Sequence, residues 1–343
     1  MLAAHYQITV LYLQADASIS TVDKETISRG NVTEMVIYYP VLQSRWKQYT
    51  TIIAAFDEEM KKIGNVDLIH AHCMLPKGFL FRRAKKYFQK PLIISEHGSL
   101  FLKENHTQLN WKDRWIIRGL KKNADEFIAV SGVLREGMSK SGIPEPITVI
   151  GNPVNTELFN LKPTVQSNFF TFLHVSTLDN KIKNTTGIIA AAEELIKGGR
   201  KNFRLKIVSD ENYADLLKLV KEKRMEVFVS FYGPCQPEEL VTHYHSSDAF
   251  ILFSNYETFS IVVAEAWACG LPVISTSVGI ATNLREELGI PVNAQDNLSL
   301  VHAMEQIMEG KKFEASQIRN HALQFSVDNI FAQLQLIYNR HLG

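Results

Sequence analysis

Apolar runs a few residues long alternate with amphipathic stretches along almost the whole chain. Tyr6 to Leu13 interleaves apolar side chains with Gln7, Thr9 and Tyr12 and predicts a strand. After a polar loop, Met35 to Tyr39 predicts a second one. Helical periodicity follows over Thr51 to Ile63, and short apolar strands are expected at Val66 to His72, Pro91 to Ser95, Glu126 to Ser131 and Ile147 to Ile150. Between them Pro76 to Phe88, Trp111 to Leu120 and Val133 to Ser139 read as helices. Such alternation argues a parallel sheet covered by helices on both faces.

Gly151-Asn152-Pro153-Val154-Asn155-Thr156 is rich in turn formers, and the domain boundary is placed there. A second series has strands at Phe170 to Val175, Phe203 to Ser209, Val227 to Gly233, Ala249 to Phe253 and Pro272 to Ser275. A last helix is expected over Asp328 to Arg340. The pattern predicts an α/β protein of two Rossmann-like, doubly wound domains, 1–152 and 153–327, whose ligands lie beyond the carboxyl ends of the strands. At 343 residues each half is large enough to bury its own core.

Net charge of +1 gives no global argument for a nucleic-acid partner. Cys73, Cys235 and Cys269 are odd in number and lack metal-ligand spacing, so they read as free thiols. Neither a signal peptide nor a run long enough to span a membrane is visible, and the expected location is cytoplasmic.

The chemistry concentrates in residues 254–275. Behind the apolar run Ala249 to Phe253 comes a loop carrying Glu257, then a small-residue helical run that Gly270 stops. The N–H groups of Phe259, Ser260 and Ile261 open that helix, where unpaired donors and the macrodipole favour an anion such as phosphate. Glu265 lies two turns further on between Ala264 and Ala266, and its carboxylate needs donors that sugar hydroxyls could supply.

Glu257, Phe259, Glu265, Ala266, Ala268, Gly270, Pro272, Val273 and Ile274 together resemble the signature of glycosyltransferase family 4, retaining enzymes of the GT-B fold. The resemblance implies that Glu257 contacts the donor sugar, the turn Phe259, Ser260 and Ile261 holds the diphosphate, and Glu265 holds the ribose. His72, at the end of its strand, would lie over the transferred sugar, with His97 as a second cleft candidate. Ser176 and Thr177 end the first strand of the second domain, and Lys183 would neutralise the leaving diphosphate. The family usually has an Arg where Thr177 stands. The helix at 328–343 is expected to pack back on the first domain. The chain also reads as starting near the family's second strand, so the first domain is expected to lack its N-terminal strand and Gly-Gly loop.

These expectations amount to a catalytic set of His72, Glu257 and Lys183, no cofactor, and a UDP- or GDP-type sugar as donor. The acceptor would be a saccharide or lipid-linked saccharide, as in cell-surface polysaccharide synthesis. No Asp-x-Asp occurs, and no metal site is expected. Between Lys77 and Lys122 basic residues outnumber acidic ones and are interleaved with aromatics, which suits an anionic membrane surface or two ordinary solvated helix faces. Two rivals stay open: a GT-B sugar-nucleotide epimerase, for which Glu96 is the main first-domain carboxylate, and a truncated subunit that binds nucleotide without transfer.

Overall fold

A computed structural model describes residues 2–105, 108–161 and 168–342, so 106–107 of the basic stretch and Gly343 of the last helix lie outside it. The first half comprises β1 (Ile8–Asp16), β2 (Asp23–Arg29), β3 (Val32–Pro40), α1 (Arg45–Lys62), β4 (Ile69–His72), α2 (Phe79–Phe88), β5 (Leu92–Glu96), α3 (Trp111–Leu120), β6 (Glu126–Ala129), α4 (Gly132–Lys140) and β7 (Ile147–Val149). β4 to β7 form a four-stranded parallel sheet in sequence order. β1 belongs to a separate three-stranded sheet, parallel to β3, with β2 antiparallel on the far edge. No described strand joins β1 to β4, so the sheet of this half is broken where the sequence reading lacks a strand. Lys77 partly covers the break by donating to the Leu13 carbonyl at 2.9 Å.

β2 is not among the expected strands. Its one strongly apolar residue is Ile27, so no alternating stripe marks it. Its signal is the Gly30-Asn31 turn, with Gly30 at φ +57°, which turns β2 back onto β3.

The second half holds β8 (Phe170–Val175), α5 (Asn180–Lys183), α6 (Thr185–Lys197), β9 (Phe203–Val208), α7 (Ala214–Glu222), β10 (Val229–Tyr232), α8 (Pro237–His245), β11 (Ala249–Leu252), α9 (Ile261–Ala268), β12 (Val273–Thr276), β13 (Gly289–Val292), α10 (Asn297–Met308), α11 (Ala315–Ala322) and α12 (Val327–Leu342). Its sheet is continuous and parallel, in the order β10-β9-β8-β11-β12-β13. Every residue of β11 and β12 is buried, which explains why these strands read as unbroken apolar runs. The unexpected strand is β13, where Pro291 breaks the pattern and is tolerated because the strand is an edge.

α12 lies against the first half. Ile330, Ile337 and Tyr338 share a buried cluster with Ile93, Ile128 and Ile150, and Arg340 and His341 reach Glu126 at 3.4 and 3.5 Å.

Candidate active site

The strand ends β8 and β11 set the floor of the site. Asn255, just past β11, donates from its backbone to the Ile182 carbonyl at 2.7 Å and from its side chain to the Lys181 carbonyl at 2.8 Å. These two bonds strap the loop to α5, whose start is capped by Asp179. Lys183 is thereby brought to Glu257, with Nζ 2.6 Å from Oε1. Ser254 donates to the same oxygen at 2.8 Å. Both recorded bonds fall on Oε1, so Oε2 is unengaged among the described residues. Lys183 and Glu257, separated by 74 positions, form one partly buried charge pair.

Next to the pair the chain bends sharply. Ser260 sits in the left-handed region at φ 76°, a conformation that costs a non-glycine residue about 1 kcal/mol and persists only where packing enforces it. The enforcing contact is the Gly279–Ala281 turn, whose Ile280 N–H donates to the Phe259 carbonyl at 2.9 Å. A Cβ on Gly279 would come within 2.5 Å of that carbonyl and 2.7 Å of Ser260 Oγ, so only glycine fits. Phe259 turns its buried ring to Phe325 and Gly151, and its backbone is what it gives to the bend. Ser260 Oγ is buried without a partner. An orphaned hydroxyl beside the first, unpaired N–H groups of α9 is a set of donors in want of an anion.

Glu265 points from α9 towards α8, where Tyr244 donates to its Oε2 at 2.8 Å. Burial raises this carboxyl to about 7, and the tyrosine bond opposes the rise.

Ser176 is engaged within its own strand end. The buried His174 donates through Nδ1 to the Ile251 carbonyl at 2.9 Å, so its Nε2 accepts, and the Ser176 hydroxyl supplies that proton at 2.8 Å. Thr177 is exposed at the strand end.

In the first half, His72 and His97 meet at 3.1 Å between Nδ1 and Nε2. His72 is exposed at the end of β4, yet the protein around its imidazole removes much of the water that would hydrate the charged form. That loss of water first, and the neighbouring His97 second, lower its pKa to about 4. Burial also lowers His97, against a hydrogen bond that its ring donates to the Asn152 side chain in the expected boundary segment. His70, two residues before His72 on the same face of β4, packs its ring against it with centroids 4.4 Å apart, and is bonded to Ser95 at 2.8 Å and to Tyr338 of α12 at 2.6 Å. Glu96 accepts from the backbone N–H groups of Met74, His97 and Gly98, which deprives the epimerase reading of its carboxylate. Among the described residues no hydrogen bond or ion pair joins these histidines to Glu257 or Lys183. The two halves do touch nearby, where Ser131 Oγ donates to the Thr258 carbonyl at 2.5 Å. A cleft of about 490 Å³ opens between them beside Gly279, lined also by Ser131, Thr282 and Phe325.

This arrangement matches known patterns along most of its length. The pattern described as Glycosyltransferase Family 4 matches residues 1–158, and that described as Glycosyl transferases group 1 matches residues 170–310. The chain belongs to glycosyltransferase family 4. A D-inositol 3-phosphate glycosyltransferase of Acidothermus cellulolyticus is 25% identical over 315 residues, covering 83% of this chain and 70% of its own. An N-acetyl-alpha-D-glucosaminyl L-malate synthase of Bacillus anthracis is 24% identical over 254 residues, 70% of this chain and 64% of its own. The chain spans less than two thirds of several other curated relatives, among them 57%, 24% and 30% of their length. Sucrose-phosphate synthase from Thermosynechococcus elongatus superposes with a TM-score of 0.80 at 20% identity, over 99% of this chain and 90% of that one. HepE of Anabaena, solved with UDP, gives 0.76 at 17% identity, over 97% and 100%. The fold is GT-B.

Within this family 4 chain, sequence reading overlooked Tyr244, the partner of Glu265, Asn152, the partner of His97, and Ser131, which lines the cleft. Tyr244 lies in an amphipathic helix where an aromatic reads as core. Asn152 and Ser131 are loop residues whose partners are far away in sequence, and only the fold reveals them.

Proposed function

We propose that this chain transfers a sugar from a nucleoside diphosphate sugar to a hydroxyl of a saccharide or lipid-linked saccharide, with retention at the anomeric carbon. The observation that carries the reading is the Lys183–Glu257 pair at 2.6 Å beside the orphaned Ser260 hydroxyl, with Glu265 in the second turn of α9. Glu265 would accept from the ribose hydroxyls, and Ser260 with the N–H groups from Phe259 to Ile261 would hold the diphosphate. Lys183, drawn from Glu257 to the arriving phosphate, would meet the charge that grows on the leaving group. Glu257 would then be free to orient the sugar, and His72 would face it from the other half.

In the chemical step the bond from the anomeric carbon to the diphosphate oxygen breaks. The acceptor oxygen bonds to the same carbon on the same face, and its proton goes to the departing phosphate oxygen. Lys183 and the N–H donors supply the charge stabilisation that a cation would otherwise give, so turnover should survive a chelator. His97, Ser176 and Thr177 were expected to touch substrate; the engaged Ser176 hydroxyl favours a role in shaping the β8 end. Relatives and fold neighbours named for UDP-bound, inositol phosphate and lipopolysaccharide core proteins support a UDP- or GDP-type donor and a role in cell-surface polysaccharide synthesis.

The reading extends to a protein of the cytoplasm that rests on the inner membrane face. No described helix is long and apolar enough to cross a membrane. Across α2 and α3, Trp111 and Trp115 are 74% and 54% exposed, with Lys112 and Arg82 each 5.5 Å from the respective ring. Arg83 and Lys85 are spent on Asp57 and Asp125, so the surface charge rests on Arg82, Lys86, Lys112, Arg114, Arg118, Lys121 and Lys122. Cosedimentation with phosphatidylglycerol vesicles, lost in a Trp111→Ala/Trp115→Ala variant, is the expected outcome.

The transfer reading is tested by calorimetric titration with UDP and GDP, together with hydrolysis of a sugar-nucleotide panel. Binding of one nucleotide and slow hydrolysis of its sugar conjugate are expected. Binding without any turnover would leave a nucleotide-binding subunit, and no binding would sink the reading.

A further inference from the structure

Tyr244 is fully buried between Phe159 and Phe250, and its hydroxyl lies 2.8 Å from Glu265 Oε2 and 3.3 Å from the Val262 carbonyl. One phenolic proton therefore faces two acceptors. With Glu265 ionised, the proton goes to Oε2, the shorter and charge-assisted bond. With Glu265 protonated, the acid donates to the phenol oxygen and the phenol proton turns to Val262. Both states are satisfied without moving a heavy atom, so the side chain stays in one place through a proton exchange. Oε1 has no partner among the described residues.

We propose that Tyr244 is a positioning residue: it ties down Oε2 of Glu265 so that Oε1 is presented to the vicinal hydroxyls of the donor's ribose. This rests on the reading of Glu265 given above. A diol donates to the ionised carboxylate far better than to the acid, so binding should expel the carboxyl proton to solvent. The other titratable groups around this pair are Cys269 at the end of α9, Cys235 in the loop before α8, and Arg319 of α11. Arg319 is committed to the carbonyls of Thr156, Phe159 and Ala268. Both thiols are raised above their ordinary range, largely by burial, which leaves Glu265 as the group that titrates near neutrality.

The test measures UDP and GDP affinity of the intact chain between mildly acid and mildly alkaline pH for the wild type, Tyr244→Phe and Glu265→Gln. Glu265→Gln supplies the baseline, including ionisation of the nucleotide's own phosphate. Relative to it, wild-type affinity should fall about tenfold per pH unit below about 7, because the proton must leave first. Loss of the phenol bond should move that midpoint upward by about one unit, weakening binding about tenfold near neutrality and restoring it in alkali. A merely structural loss would weaken binding by one factor at every pH, and an unmoved midpoint would overturn the proposal. If Glu265→Gln binds as tightly as the wild type, the ribose reading itself fails instead. Proton release on UDP binding, measured for the wild type in buffers of different ionisation enthalpy, gives a check without variants: release near pH 6.5 is expected, and none would contradict it.

Discussion

The two halves share a plan and differ in how completely it is executed. In the second, six parallel strands form one sheet, its central strands are buried on both sides, and charged site residues are strapped to one another across long sequence separations. In the first, the sheet is split, and β1 shows no buried residue along its nine positions. The polar groups there are paired mostly among themselves, His72 with His97 and Glu96 with the backbone. The difference teaches that the half carrying the Lys183–Glu257 pair has its polar groups arranged without a ligand, whereas the other half leans on α12 and the 151–156 segment to hold its shape.

The most severe break should come from the charge pair. Glu257→Ala is expected to lower transfer at least about a hundredfold while leaving nucleotide affinity largely intact, since the sugar and not the nucleotide loses its contact. Turnover of the sugar-nucleotide panel set beside calorimetry separates the two. Glu265→Ala should do the converse and weaken nucleotide binding by about 1–3 kcal/mol. Normal turnover in both variants would show that the site lies elsewhere.

Hydrogen exchange addresses the contrast between sheets. Amides of β1, β2 and β3 should exchange well before those of β8, β11 and β12, because a small half-open sheet opens locally while the buried one opens only with its domain. Equal protection would mean that the split sheet is braced by something other than strand pairing.

Acid should sharpen the contrast more gently. His70, His72 and His174 are held down to about 3, 4 and 4, first of all by burial. Below pH 6.5 an unfolded chain takes up protons at these positions that the folded chain refuses, so their contribution is whole above 6.5 and is lost as pH falls towards 4. Glu265, raised to about 7, works the other way, and its contribution is lost as pH rises from 4.5 to 7. With two of the three histidines in the first half, mild acid should increase exchange there before it does in the second. Simultaneous loosening would contradict that division.

Much of this was legible along the chain, and for physical reasons. Buried parallel strands such as β8 and β11 must be apolar throughout, so their runs announce themselves, and the capping box of Asn110 and Asp113 fixes the start of α3 where the pattern put it. Glu257, Ser260 and Glu265 are close in sequence and share one bend and one helix, so their grouping could be read directly. The Lys183–Glu257 pair could not, because it depends on a backbone strap between Asn255 and α5. Tyr244 escaped for a related reason: a fully buried ring looks like core until its hydroxyl is seen to have a partner. β2 and β13 were missed because one carries almost no apolar stripe and the other contains a proline.

The most direct test is a structure of this chain with UDP, or with GDP should that be the nucleotide that binds. The account places the ribose hydroxyls against Glu265 and the diphosphate over the Phe259–Ile261 bend, with Lys183 drawn off Glu257 towards phosphate. A nucleotide bound elsewhere, with Lys183 still on Glu257 and no density at the bend, would contradict it.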